Sequence, residues 1–236
     1  MPRDASGARE ESRAVGAPAC YEAFVNRPTM SALDALVRLR EGNRRFTSNV
    51  RSLDALLSHA RRAEIDRQAP CAIVLGCSDS RAPAEIVFDQ GLGDLFVIRV
   101  AGNIVAPSQV GSVEFAAERF GTRLVVVMGH TACGAILATL EHMENPNETS
   151  SRNLRSIVDR VRPAIEPLVK TELARDRAAL LREATRANVR VAADHLRHGS
   201  QLLEQLILDD GLLVVGAEYS LETGDVDFFD GIDRAG

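Results

Sequence analysis

The 236-residue sequence has no tryptophan and few aromatic residues, 4% in all. A core built from it must rest on Leu, Val, Ile and Ala. No apolar run approaches the ~18–20 residues of a membrane-spanning helix. Basic residues are not in excess: 28 Lys and Arg stand against 33 Asp and Glu, for a formal net charge of −5. That balance gives no reason to expect nucleic acid or an anionic membrane as a partner. The first thirty residues, rich in Ala, Arg, Glu, Ser and Gly, lack the apolar centre of a secretory signal. Residues 1–30 are expected to be a poorly ordered tail or the product of a start codon placed too early. Asp4, Glu10 and Glu11 argue against a transit peptide. There is no internal repeat and no low-complexity stretch.

Cysteine is scarce as well: Cys20, Cys71, Cys77 and Cys133. Without an export signal, and in a chain too long to need staples, a disulfide framework is not expected. The cytoplasmic location this suggests turns attention to metal or catalysis. Cys71 opens an apolar strand and reads as a small buried hydrophobe. Cys20 lies in the tail and has no expected role.

What is present is a set of short β-branched runs, at 71–76, 95–100, 123–128 and 212–217. They lack polar alternation, as strands buried on both faces of a parallel sheet do. Helical patterns lie between them at 83–88, 109–120 and 133–143, with a long and largely helical stretch at 152–208. Residues 145–151 read as a polar loop. Two helices precede the first strand, at 31–46 (Ser31 as N-cap, with Leu33, Leu36, Val37 and Leu39 as its apolar positions) and at 53–67. Glu222-Thr223-Gly224-Asp225 is a hairpin turn joining Leu212–Ser220 to Val226–Phe229. The order predicts one α/β domain over 31–236. It has a mostly parallel sheet of about four strands, a fifth antiparallel strand at the edge, flanking helices and an N-terminal helical arm.

Two fragments carry the chemistry. Cys77-Ser78-Asp79-Ser80-Arg81 and His130-Thr131-Ala132-Cys133-Gly134 each follow an apolar run. Ligands of open parallel sheets sit beyond the carboxyl ends of strands, so the two fragments converge if their strands are adjacent. Cys77, His130 and Cys133 then form a Cys₂His set that suits zinc and leaves a fourth position open, the pattern of catalytic zinc. His130 is expected in the loop and Cys133 in the first helical turn, where the helix N-terminus favours a thiolate. Zinc lowers the pKa of a bound water toward neutrality. Asp79 is placed to orient the resulting hydroxide, or to bind the metal itself in a closed state, and Arg81 to hold Asp79 ionised. Two thiolates cancel the metal's charge, so the rate should rise through the mildly alkaline range. Three other readings stand beside this one. They are two buried cysteines with a hydrogen-bonded histidine, a cysteine nucleophile with His130 as base, and a non-enzymatic zinc module with Asp79 as permanent fourth ligand.

These fragments, taken with Phe96-Val97-Ile98-Arg99-Val100-Ala101-Gly102-Asn103, resemble the β-class carbonic anhydrases. Arg40 to Phe46 and Gly216-Ala217-Glu218-Tyr219 with Thr223-Gly224 add support. The resemblance spans roughly residues 33–229. It implies reversible hydration of carbon dioxide to bicarbonate and a proton, with Zn²⁺ on Cys77, His130 and Cys133 and with Asp79 and Arg81 as catalytic dyad. It also implies a homodimer or homotetramer with wrapped N-terminal helices and a site near the subunit interface. Substrate contacts fall on Gly102, Phe115 and Gln90. Related members on the same scaffold hydrolyse carbon disulfide or carbonyl sulfide, an alternative the sequence leaves open. The chain departs from the family pattern in three places. Gln90 stands one residue before the register of a substrate-contacting glutamine, where Gly91 falls. Phe115 replaces a tyrosine, losing the hydroxyl but keeping an apolar wall. Val74 stands where members with a regulatory bicarbonate site carry tryptophan, so no such site is expected. His142, His195 and His198 read as surface or capping histidines, and Gly91-Leu92-Gly93 as too little for a phosphate loop.

Overall fold

The computed structural model describes residues 30–53, 68–145 and 151–232. The predicted tail, most of the helix at 53–67 and most of the loop at 145–151 lie outside them. Five strands make one sheet: β1 (Ala72–Gly76), β2 (Leu95–Arg99), β3 (Leu124–His130), β4 (Leu213–Tyr219) and β5 (Val226–Asp230), in the order β2-β1-β3-β4-β5. All neighbours are parallel except β4 and β5, so the expected mixed sheet with an antiparallel edge is what forms. The inner strands β1 and β3 are buried at every position, which is why they read as unbroken apolar runs.

Successive side chains of these strands supply two cores, as the two-residue pleat requires. Val74, Leu124, Val126, Met128, Val215 and Ala217 face a layer containing Leu36, Leu39 and Phe88. Ile73, Leu75, Val125, Val127 and Val214 face Val113, Ala116, Val189 and Leu196. The first layer holds helices α1 (Ala32–Thr47) and α2 (Ala84–Val87). The second holds α3 (Pro107–Arg119) and, across a helix pair α4 (Gly134–Glu144) and α5 (Arg152–Ile165), the long α6 (Arg177–His198) followed by α7 (Gln201–Asp209). Among the described residues no helix is long and apolar enough to cross a membrane.

Local chemistry sets these elements. Ser31 caps α1 by accepting from the Asp34 amide at 3.1 Å. Asp176 caps α6 by accepting from Ala178 and Ala179, both at 3.0 Å. The stretch 152–208 is not one helix: two 3₁₀ turns between Leu168 and Arg175 interrupt it. Buried Asn43 pins α1 to the rest of the fold. Its amide donates to Val87 O at 3.2 Å and Gly224 O at 2.8 Å, and its oxygen accepts from Val226 N at 2.9 Å. Of the four apolar positions expected to pack on α1, Leu36 and Leu39 are buried, but Leu33 and Val37 are 68% and 51% exposed. One turn apart, those two form a separate stripe on the side away from the sheet.

Candidate metal centre

The strand order places β1 between β2 and β3. The chain leaves β1 toward one side for β2 and returns on the other for β3. That reversal is the topological switch point, where a crevice opens beyond the carboxyl ends of the strands. Cys77 is the first residue after β1. His130 is the last residue of β3, not a loop residue as expected, because β3 stays paired with β4 through Gly129↔Glu218 and His130↔Tyr219. A tight turn follows, with Ala132 at φ 55°, and Cys133 then stands as the N-cap of α4 rather than inside its first turn. A left-handed φ at alanine costs about 1–2 kcal/mol. It reverses the chain soon enough for His130 and Cys133 to face one point.

The ligand atoms of Cys77, His130 and Cys133 lie within 4.8 Å of one another, and all three residues are buried. The two Sγ atoms are 4.0 Å apart, close to the ~3.8 Å expected for two sulfurs about 2.3 Å from a tetrahedral centre. His130 Nδ1 lies 2.9 Å from Thr131 O, and that carbonyl fixes the proton on Nδ1. Nε2 is then a bare acceptor. It is buried and, among the described residues, has no hydrogen-bond partner. Such an orphan is costly unless a cation takes its lone pair, so the donor set fits a metal ion. The Gly102 N–H completes the surroundings by donating to Cys77 Sγ at 3.3 Å.

Without a metal the two thiols share one proton. The Cys77 thiol is pulled down, chiefly by the hydrogen bond with Cys133, with His130, Gly102 and Asp79 adding to it against burial. Cys133 is pushed up by the same bond and by burial.

Beside the ligands, Asp79 and Arg81 form a complete fork. Asp79 Oδ1 accepts from the Arg81 backbone N–H at 3.0 Å and from Nε at 2.9 Å, and Oδ2 accepts from Nη2 at 2.7 Å. This pairing holds the Asp79 carboxyl well below the usual carboxylate range. Asp79 Oδ2 stands 3.8 Å from His130 Nε2, facing the point where the ligand atoms converge. A residue that sequence reading passed over holds the whole loop. Arg99, at the end of β2, donates from Nε to Cys77 O at 3.1 Å and from Nη2 to Asp79 O at 2.6 Å. Its signal was available: a charged residue closing an apolar strand.

The comparisons with known proteins agree with this geometry. A family profile described as carbonic anhydrase matches residues 72–226. The carbonic anhydrase of Mycolicibacterium smegmatis is 38% identical over 201 residues, covering 85% of this chain and 94% of that protein. The chain belongs to the β-carbonic anhydrase family. At the level of fold, the β-carbonic anhydrase CafA of Aspergillus fumigatus superposes with a TM-score of 0.65 at 23% identity, over 85% of this chain and 91% of that one. A chain described with two tetrameric β-carbonic anhydrases of Sordaria macrospora gives 0.64 at 22% identity, over 74% and 90%.

The structure does not gather every expected residue of this β-carbonic anhydrase at the cluster. Gln90 is buried, and its Nε2 donates to Phe88 O at 2.7 Å, on the side where α1 packs. Phe115 is 52% exposed and stacks with Phe96 and Phe120, at centroid distances of 6.2 and 5.7 Å. Gly102 does reach the cluster, but through its N–H on a ligand sulfur. Cys71 is buried, as a small hydrophobe should be, and among the described residues it forms no disulfide; His195 and His198 are exposed.

Proposed function

We propose that the protein is a zinc enzyme that hydrates carbon dioxide reversibly to bicarbonate and a proton. The observation that carries this reading is the buried, unpartnered Nε2 of His130 converging with two cysteine sulfurs next to an intact Asp79–Arg81 fork. A Cys₂His donor set suits zinc, held by Cys77, His130 and Cys133. When bound, the metal supplies Lewis acidity that makes water a competent nucleophile near neutral pH.

The chain's own residues do the rest. Asp79 Oδ2 accepts a hydrogen bond from the attacking water, so that a lone pair on the water oxygen faces the substrate carbon. Arg81 occupies two directions on Asp79 Oδ1 and one on Oδ2, leaving Oδ2 able to accept from the water, and keeps the carboxylate ionised. A carboxylate held this far below its usual range is an orienting acceptor, not a general base, so the released proton goes to solvent or buffer. The fork also weighs against Asp79 as a permanent fourth ligand, because turning the carboxylate onto the metal would compete with three hydrogen bonds from Arg81. The family relationship and the exposed Leu33, Val37 and Phe115 support a homo-oligomer, a dimer or a pair of dimers.

Stopped-flow hydration of carbon dioxide by the metal-replete protein, run beside carbonyl sulfide and carbon disulfide, tests the reading. The native rate should rise through mildly alkaline pH. Asp79→Asn should keep one zinc per chain while losing roughly 10²–10⁴-fold in rate, the usual worth of a positioned acid–base group. A zinc-replete native protein that leaves carbon dioxide unhydrated at every pH would overturn it. Turnover of a sulfur substrate alone would replace the substrate and keep the site.

A further inference from the structure

We infer that Asn188, in the middle of α6, is a positioning residue of the metal centre, acting on Cys77 through Gly102. Asn188 is 3% exposed on an apolar helix face shared with Ala184, Val189 and Ala192. Burying an amide in such a place is unfavourable unless it is hydrogen-bonded. Among the described residues its side chain makes one hydrogen bond: Nδ2 donates to Gly102 O at 2.8 Å. Gly102 in turn donates its N–H to Cys77 Sγ at 3.3 Å.

The two bonds lie on opposite sides of the Gly102 α-carbon, so nothing passes between them through a single peptide group. The link is conformational. Gly102 is left-handed, at φ 67° and ψ 22°, and as glycine it has little preference of its own. The peptide unit that follows it is held at two ends: the Asn103 N–H donates to Val100 O at 3.0 Å, and the Gly102 carbonyl accepts from Asn188. The first bond is internal to the turn and tilts with it. The second comes from another layer of the fold, 86 residues away, and so sets the turn against the rest of the molecule. With the carbonyl fixed, the Gly102 N–H is aimed at the sulfur. Asn188 thus serves the metal centre without touching any of the three metal-ligand side chains, and only because Cys77 has the ligand role proposed above.

The test is spectroscopic. In the cobalt(II)-loaded protein, an N–H···S bond makes the Cys77 thiolate harder to oxidise and keeps its charge-transfer band at short wavelength. Asn188→Leu, which keeps the branching but removes the donor, and Asn188→Asp, which sets an acceptor against the Gly102 carbonyl, should both move that band to longer wavelength. Both should also weaken zinc binding by roughly 10–100-fold in chelator competition, as loss of an outer partner of a ligand does. Thr185→Val is the control. It removes another buried polar group of α6, one that donates to Leu181 O at 2.9 Å, and should leave the band in place. If the leucine variant does not fold, Asn188→Ser, too short to reach Gly102, must show the same shift. A folded Asn188 variant with native band and native zinc affinity overturns the inference. A native cobalt protein with no thiolate band overturns the metal assignment itself, which is a different result.

Discussion

Replacing Gly102 by alanine separates two roles that the residue has been given. The resemblance to β-carbonic anhydrases places Gly102 against substrate, whereas the structure places its N–H on Cys77 Sγ. A methyl group here meets two obstacles. The backbone is at φ 67°, which an L-residue adopts at a cost of about 1–2 kcal/mol. The new Cβ would also lie 2.9 Å from Ala135 Cβ, and that overlap adds roughly 1–3 kcal/mol, as overpacking does. The sum is about 2–5 kcal/mol, a large part of the ~5–15 kcal/mol that holds a domain folded. For a chain of this size it lowers Tm by roughly 4–20 °C. The turn relieves the overlap by tilting away from α4, which takes the N–H off the sulfur, so metal affinity falls as well. Thermal melts of loaded and metal-free protein, chelator competition and KM on Gly102→Ala measure all three quantities. In a double-mutant cycle, Ala135→Gly removes the atom that the new methyl meets. It should show a coupling of about 0.5–3 kcal/mol, leaving the backbone cost behind. A Gly102→Ala protein that melts within about 2 °C of native, binds zinc as tightly and differs only in KM would refute the ligand-orienting role.

Arg99→Leu frees the carbonyls of Cys77 and Asp79 while leaving every ligand in place. It should lower kcat by at least tenfold with a smaller change in zinc affinity, and equal losses in both would argue that Arg99 serves the fold alone. Glu218, near the end of β4, is half-buried; burial raises its pKa against the pull of Arg186, and among the described residues one carboxylate oxygen has no hydrogen-bond partner. A raised folded pKa means that its contribution to stability is present below 4.5 and is lost as pH rises. Tm of Glu218→Gln relative to native should therefore climb between about pH 4 and 7, and a flat difference refutes this. Ala132→Gly relieves the left-handed alanine between His130 and Cys133. It should leave stability unchanged or raise it by up to about 1 kcal/mol, with one zinc still bound. A destabilised variant would show that the strain estimate for this turn is wrong.

The strands were readable because their burial on both faces removes the polar alternation that makes edge strands ambiguous. The clustering of Cys77, His130 and Cys133 was readable because Cys77 and His130 stand at adjacent strand ends and Cys133 follows three residues on. What was misplaced depended on pairing at a distance. His130 belongs to β3 only because β4 continues alongside it to Tyr219, and no local feature of Gly129-His130 announces that. α3 starts at Pro107, two residues before the expected 109, although a proline at the first helical position is a start signal. Leu33 and Val37 fit the helical period as well as Leu36 and Leu39 do. Periodicity gives the faces of a helix but not what covers them. Asn188 carries no motif, and Arg99 was read only as part of the Phe96–Asn103 segment, because their roles come from partners 86 and about 20 residues away.

The ligands arise from strands that flank the reversal of the chain, so the site cannot assemble piecemeal. Cys77 and His130 meet only once β1 and β3 have paired across more than fifty residues, a slow, non-local event. A metal ion has nothing complete to bind before that pairing and a full ligand set after it. Zinc should therefore do little to hasten folding and much to delay unfolding, since interactions absent from the transition state act on the unfolding rate. The bound ion would set the protein's lifetime against loss of structure more than it would guide the chain to its fold.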